Sequence, residues 1–176
     1  MHKGTLYWFT GLSGSGKTTI GMLFYKRLKE KKLNSVFLDG DDLREIFGIE
    51  KGHELGNRKK IAMCYSRLCK MLTDQGIDVV CATISMFHEC RTWNRKNIEN
   101  YKEIYLKVPI EHLIKRDVKN LYSRALKGEI QNVMGIDLPA EEPEKPDIVI
   151  NNYGKNLPED ILERILTTLN IKFERE

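Results

Sequence analysis

Four residues near the start of the chain have the types and spacing to hold a polyphosphate. Gly11, Gly16, Lys17 and Thr18 satisfy G-x-x-x-x-G-K-[ST] within the string FTGLSGSGKTT. A glycine-rich turn lets successive backbone N–H groups converge on phosphate oxygens with no Cβ in the way. In such a loop Lys17 reaches the β- and γ-phosphates, and the Thr18 hydroxyl takes a place on Mg2+. The expected ATP-binding set is Gly11, Leu12, Ser13, Gly14, Ser15, Gly16, Lys17, Thr18 and Thr19, with ATP and Mg as cofactors. The motif needs a strand before it and a helix after it. TLYWFT (5–10) supplies the β-branched and aromatic run, and TTIGMLFYKRLKEKK supplies the helical pattern.

A second group of charged residues suits phosphoryl transfer. Asp39-Gly40-Asp41 offers a general base or a metal contact beside the glycine-rich loop, and Arg44 and Arg58 suit an anionic acceptor. Lys119, Arg124 and Lys127 populate a basic lid at about 119–137. Each of these charges taken singly is equally well read as solvated surface. Together at one sheet edge they point to a kinase.

The elements that must position these residues alternate along the chain. Apolar runs of strand length lie at 5–10, 35–38, 77–85, 103–108 and 147–151, with Ser85 closing the third. Helical patterns follow at 57–75, through the polar segment carrying Arg91, Arg95 and Lys96, at 109–116, in NLYSRALKGEIQ, and at 158–169. Between Glu45 and Gly56 the chain reads as a looser charged stretch. This alternation predicts an α/β fold: five parallel strands with helices on both faces. Ligands of such sheets collect outside the carboxyl ends of the strands. The glycine-rich loop, Asp39, Asp41, Ser85 and the loop before Pro109 should therefore share one cleft. No repeat or linker divides the chain, so residues 1–176 read as one nucleotide kinase domain.

Bulk composition narrows the class. Of the 176 residues, 41% are hydrophobic and 31% charged, as in globular domains. No apolar run reaches the roughly 18 residues of a membrane helix, and the N-terminus lacks a signal-peptide pattern. The net charge of +4 suits anionic ligands, but basic and acidic residues are interleaved, which disfavours a nucleic-acid stripe. Cys64, Cys69, Cys81 and Cys90 form no C-x-x-C pair, and a reduced, cytoplasmic setting is expected. A GTPase switch would need N-K-x-D and D-x-x-G strings, and neither occurs. A non-enzymatic nucleotide-binding module is the alternative from another class.

Five strings carry a resemblance to the adenylylsulfate kinase family over nearly the whole length. They are FTGLSGSGKTT, LDGDDLR, ISMF, RDVKNLYSRALKGEIQNVMGID and LPAEEPEKPDIVI, with Arg58 between the second and third. The resemblance implies transfer of the γ-phosphoryl of Mg·ATP to the ribose 3′-hydroxyl of a nucleotide. It makes Lys17, Asp41 and Asp39 the catalytic set, with Asp41 as base, and adds Arg116 to the ATP site. Arg44, His53, Arg58, Ile84, Ser85, Lys119 and Val133 become the acceptor-binding set, and Thr18 the metal contact. Ser85 matches a serine known in the family as a phosphoserine. Direct in-line transfer needs no covalent intermediate, so it reads as a substrate-loop residue. The resemblance allows a homodimer and gives no nucleic-acid or membrane partner.

The sequence departs from the family pattern on the acceptor side. His53 and Val133 stand where the family has two phenylalanines that sandwich adenine, Ile61 replaces an asparagine, and Ser85-Met86-Phe87-His88 replaces S-P-F/Y-R. Stacking contributes about 1–3 kcal/mol per base, so drift accounts for one such change more easily than for four. A pyrimidine fits a pocket without aromatic walls. The resemblance then favours cytidine diphosphoramidate as acceptor, in capsule phosphoramidate biosynthesis, with adenylylsulfate in sulfate assimilation as the alternative.

Overall fold

Alternation within each strand decides which helices cover which face of the sheet. The structure, a computed structural model, describes residues 2–30, 34–48 and 54–171. Strands β1 (Thr5–Thr10), β2 (Ser35–Asp39), β3 (Asp78–Ala82), β4 (Asn100–Lys107) and β5 (Ile148–Asn151) pair in parallel, in the order β2-β3-β1-β4-β5. Helix α1 (Lys17–Glu30) and helix α7 (Pro158–Thr168) pack on one face. There Tyr7, Phe9, Val80, Ala82, Ile104 and Leu106 meet Ile20, Phe24, Leu28, Ile161 and Ile165. Residues one position out of phase, Leu6, Trp8, Val79, Cys81 and Tyr101, face helix α3 (Leu55–Asp74) and helix α4 (His88–Asn97). Both faces are dry, so the central strands read as continuous apolar runs. Helix α5 (Ile110–Arg116), a 3-10 turn (Val118–Asn120) and helix α6 (Leu121–Leu126) form a smaller assembly with its own core of Val108, Leu113, Tyr122 and Val133. Among the described residues, no helix is long and apolar enough to cross a membrane.

Several boundaries differ from the sequence reading, each for a local reason. Asp39 and its neighbours do more than end a strand: Gly40–Ile46 is a helix, α2, with Asp39 as its N-cap. Asp41 and Asp42 lie in its first turn, where the helix dipole favours negative charge. Strand β3 stops at Ala82 rather than Ser85, whose φ of 21° is incompatible with an extended chain. Strand β4 begins at Asn100, where Asn100 pairs with Thr5. The segment 120–131 is not one helical piece, since α6 ends at Leu126 and Gly128 follows at φ 74°.

Phe24 is fully buried, with its ring 4.7 Å from Tyr7 and 5.5 Å from Phe9. Phe24→Ala should destabilise the protein by about 3–5 kcal/mol in urea unfolding, since this layer is too crowded to collapse into the gap. A loss below about 2 kcal/mol would show that α1 repacks freely.

Candidate active site

The glycine-rich loop leaves β1 and enters α1 with a backbone open only to glycine at two points. Gly11 lies at φ 150°, and a Cβ there would sit 2.5 Å from the Leu106 carbonyl oxygen. Gly16 lies at φ 92°, and its Cβ would sit 2.6 Å from Asn152 Nδ2. That Asn152 amide donates to the Ser15 carbonyl at 2.8 Å, so the loop after β5 braces the phosphate cradle. Lys17 is buried, and its Nζ donates to the Leu12 carbonyl at 2.8 Å. Burial pulls the Lys17 pKa down to about 8, against the opposing pull of Asp39 and Asp41.

Asp39 links this loop to the other side of the cleft. Its Oδ2 accepts from the Thr18 hydroxyl at 2.7 Å, and its Oδ1 accepts from the Asp41 backbone N–H at 2.8 Å. A hydroxyl and a carboxylate in contact, beside a polyphosphate cradle, suit Mg2+, which takes one or two protein oxygens and completes its shell with phosphates and water. Asp41 is exposed and accepts a hydrogen bond from Lys119 Nζ at 3.2 Å. Arg58 Nη2 donates to the Asn132 carbonyl at 2.8 Å. Burial, then the Arg44 charge, hold the Arg58 pKa below its ordinary value, with Asp137 opposing. Arg44 Nη1 is buried with no hydrogen-bond partner among the described residues. An orphaned buried donor costs about 1–3 kcal/mol, so two neighbouring guanidinium groups favour an anionic ligand between them.

These groups line one cleft of about 340 Å³. It gathers Ser13, Gly14, Gly16, Lys17, Thr18, Thr19, Asp39, Asp41, Arg44, Arg58, Ile84, Ser85 and Lys119 from the expected set. Gly11, Leu12 and Ser15 of the expected set do not line it, and Leu12 lines a second cavity instead. Arg116 lies outside the cleft lining, donating to the Gly14 carbonyl at 3.1 Å and the Asn152 carbonyl at 2.8 Å. His53 lies outside the described residues. Val133 does not line the cleft: it is 4% exposed and packed with Val108, Leu113 and Tyr122, while Met134 faces the cleft instead. Asp137 sets that phase by accepting from the backbone N–H groups of Asn132 and Val133. The loop before Pro109 is also elsewhere, lining a second cavity with Leu12, Met86 and Leu138.

Of the remaining walls, Ile61 and Phe87 belong to the altered acceptor-side positions, while Tyr65, Thr83 and Met134 were not assigned from sequence. Ile61, Tyr65, Phe87, Thr83 and Met134 all line the cleft. Tyr65 donates from its hydroxyl to the Gly40 carbonyl at 3.2 Å, and burial pushes the phenol up to about 12, so it remains a donor. Ser85 Oγ is buried and 2.8 Å from Thr83 Oγ1. Ile61 and Tyr65 belong to the apolar stripe of α3, which reads as core. Their position at the mouth of β2 and β3, which turns that stripe into a cleft wall, needs the strand order. Arg91, read as part of a polar helix, is 4% exposed and pairs with the buried Glu103 at 3.2 Å. It also donates to the Glu141 carbonyl at 2.7 Å, tying α4 to the Pro-and-acid segment.

The family model described as adenylylsulphate kinase matches residues 3–151. Cytidine diphosphoramidate kinase of Campylobacter jejuni is 46% identical over 164 residues, covering 93% of this chain and 95% of that protein. The adenylyl-sulfate kinase of Clostridium acetobutylicum is 39% identical over 168 residues, covering 95% and 84%. The structure of the Mycobacterium tuberculosis APS kinase CysC with AMPPNP and APS superposes with a TM-score of 0.87 at 31% identity, covering 97% and 99%.

A lysine held near pKa 8 in the free protein gains a proton when polyphosphate docks against it. ATP affinity should fall as pH rises through 8, becoming about tenfold weaker at pH 9 than at pH 7. Calorimetry at pH 8 in buffers of different ionisation enthalpy should show net proton uptake. Buffer-independent heats would mean that Lys17 is already fully charged. Lys17→Ala should abolish turnover while leaving the far-UV spectrum intact.

Proposed function

The chain belongs to the adenylylsulphate kinase family, and within it we propose that this kinase phosphorylates the ribose 3′-hydroxyl of cytidine diphosphoramidate. The observation that carries this reading is the contrast between the two halves of the cleft. The phosphate-holding half keeps the full glycine-rich string from Gly11 to Thr18, with Lys17 anchored on the Leu12 carbonyl and Thr18 on Asp39. The acceptor half turns Val133 inward and presents Met134, Ile61 and Phe87. Tyr65 and Phe87 keep two aromatic rings in the cleft, but with Val133 turned inward and Met134 in its place, one stacking face that a purine rewards is given up. The 46% identity to the Campylobacter jejuni enzyme, against 39% to the adenylyl-sulfate kinase of Clostridium acetobutylicum, supports the same choice.

In this mechanism the nucleotide phosphates lie in the cradle, with Lys17 against the β- and γ-phosphates. Asp41, at the start of α2, accepts the proton of the 3′-hydroxyl as that oxygen attacks the γ-phosphorus. The new O–P bond forms in line with cleavage of the bond to the β-phosphate oxygen, and ADP leaves. Thr18 and Asp39 would hold Mg2+, which supplies neutralisation of the charge spread over the transferring group. Arg44 and Arg58 hold the anionic end of the acceptor. Lys119 crosses from the segment of about 119–137, which acts as the lid and excludes water. Ser85 stays a wall residue, its hydroxyl engaged with Thr83.

Adenylylsulfate is the second reading, favoured by the retained Arg44, Arg58, Ser85 and Lys119 in the same cleft. One panel separates the two. With ATP as donor, kcat/KM should be highest for cytidine diphosphoramidate, lower for CDP and lowest for adenylylsulfate. A kcat/KM for adenylylsulfate above that of any cytidine acceptor would assign the family's namesake reaction instead. Asp41→Asn should lower kcat by about 100-fold or more, with the ATP dissociation constant within a few-fold of wild type. A severe Asp39→Asn beside a mild Asp41→Asn would reverse the two roles.

A further inference from the structure

The turn that carries Lys119 across the cleft has an unusual backbone. Asp117, Lys119 and Asn120 all lie in the left-handed region, at φ 35°, 63° and 54°. Such conformations are unfavourable for residues with a Cβ, and three within four positions persist only when the surroundings over-determine them. The ion pair at the apex does not do this. Lys119 and Asp41 side chains are each 78% exposed, and exposed pairs contribute little.

The restraint comes from Asp117. Its Oδ1 accepts from the backbone N–H groups of Tyr122 at 2.8 Å and Ser123 at 3.2 Å, which have no partner inside α6. Its own N–H donates to the Leu113 carbonyl at 2.8 Å, and its carbonyl accepts from Asn120 N–H at 3.0 Å. The flanking residues are anchored to the phosphate loop. Arg116 donates to the Gly14 carbonyl, and the Tyr122 hydroxyl donates to the Ser13 carbonyl at 2.8 Å. The turn is thus fixed at both ends and held taut by one carboxylate.

We propose that Asp117 is a positioning residue, whose carboxylate holds the left-handed turn that delivers Lys119 to Asp41. The proposal rests on the reading of Asp41 and Lys119 as parts of the transfer site. Asp117 itself is not among the residues that line the cleft. Its effect passes through the direction in which Lys119 leaves the turn, and a misplacement of about 1 Å can lower a rate by about 100-fold.

A double-variant cycle in the full-length protein tests this. Asp117→Ala should lower kcat at least about tenfold with the KM for ATP within about threefold of wild type. Lys119→Ala should have a similar effect, and the double variant should be no worse than Lys119→Ala by more than about twofold. Asp117→Asn, which keeps an accepting oxygen, should recover most of the lost rate. Asn120→Gly should also partly rescue Asp117→Ala, because glycine relieves the strain that the carboxylate restrains. If Asp117→Ala alone does not fold, the Asn120→Gly background carries the same cycle. Full multiplication of the two losses, or wild-type kcat in Asp117→Ala, overturns the proposal. A near-normal kcat in Asp41→Asn would instead remove the base assignment, and the Asp117–Lys119 coupling would still be read from the cycle.

Discussion

Asp39 gives one carboxylate oxygen to the Thr18 hydroxyl and the other to the backbone N–H of Asp41. The first bond ties it to the helix that follows the phosphate cradle, the second to the helix that carries the proposed base. Every other element of the cleft is placed relative to that link. The register of β2 against β3, with Asp39 opposite Ala82, brings Thr83 against Gly40, where an added Cβ would meet Thr83 Oγ1 at 3.1 Å. Tyr65 then reaches the Gly40 carbonyl from α3. Two sides of the cleft built on different strands thus share one carboxylate as their common reference.

The charges around that reference are arranged for ligands rather than for one another. Lys17 is buried near two carboxylates and still loses proton affinity, because desolvation outweighs their attraction. Arg44 and Arg58 repel each other, and Arg44 keeps a buried Nη1 without a hydrogen-bond partner among the described residues. Both features are unfavourable in the free protein, and negative charge entering the cleft relieves both. Preorganisation of this kind places its cost in the folding of the protein and its benefit in the transition state.

Much of this was legible in the residues, and the failures have identifiable causes. The cradle is a contiguous string with a fixed mechanism, and the strand–helix alternation follows from apolar runs long enough to be buried on both faces. Helix α2 was missed although its signals are local: Asp39 as cap, two acids in the first turn, and Leu43 as the inward residue. Three charged residues and a glycine resemble a turn when read without the cap. The phase at Val133 and Met134 was not legible at all. It depends on Asp137 capping two backbone N–H groups and on the bridge from Met134 to Leu138, which are contacts within a loop and leave no periodicity. Arg91 shows the same limit for charge, because its buried partner Glu103 lies on a strand 12 residues away in sequence.

The brace between Asn152 and Ser15 has a consequence for the order in which the chain acquires its parts. The glycine-rich string is complete once residue 18 has been synthesised, yet the amide that supports it arrives more than 130 residues later. A sheet with only parallel pairings has no hairpin to assemble early, so its contacts close long loops and form late. During synthesis the cradle therefore exists as a sequence well before it exists as a shape. A nascent chain ending short of β5 carries the whole phosphate motif without the support that shapes it.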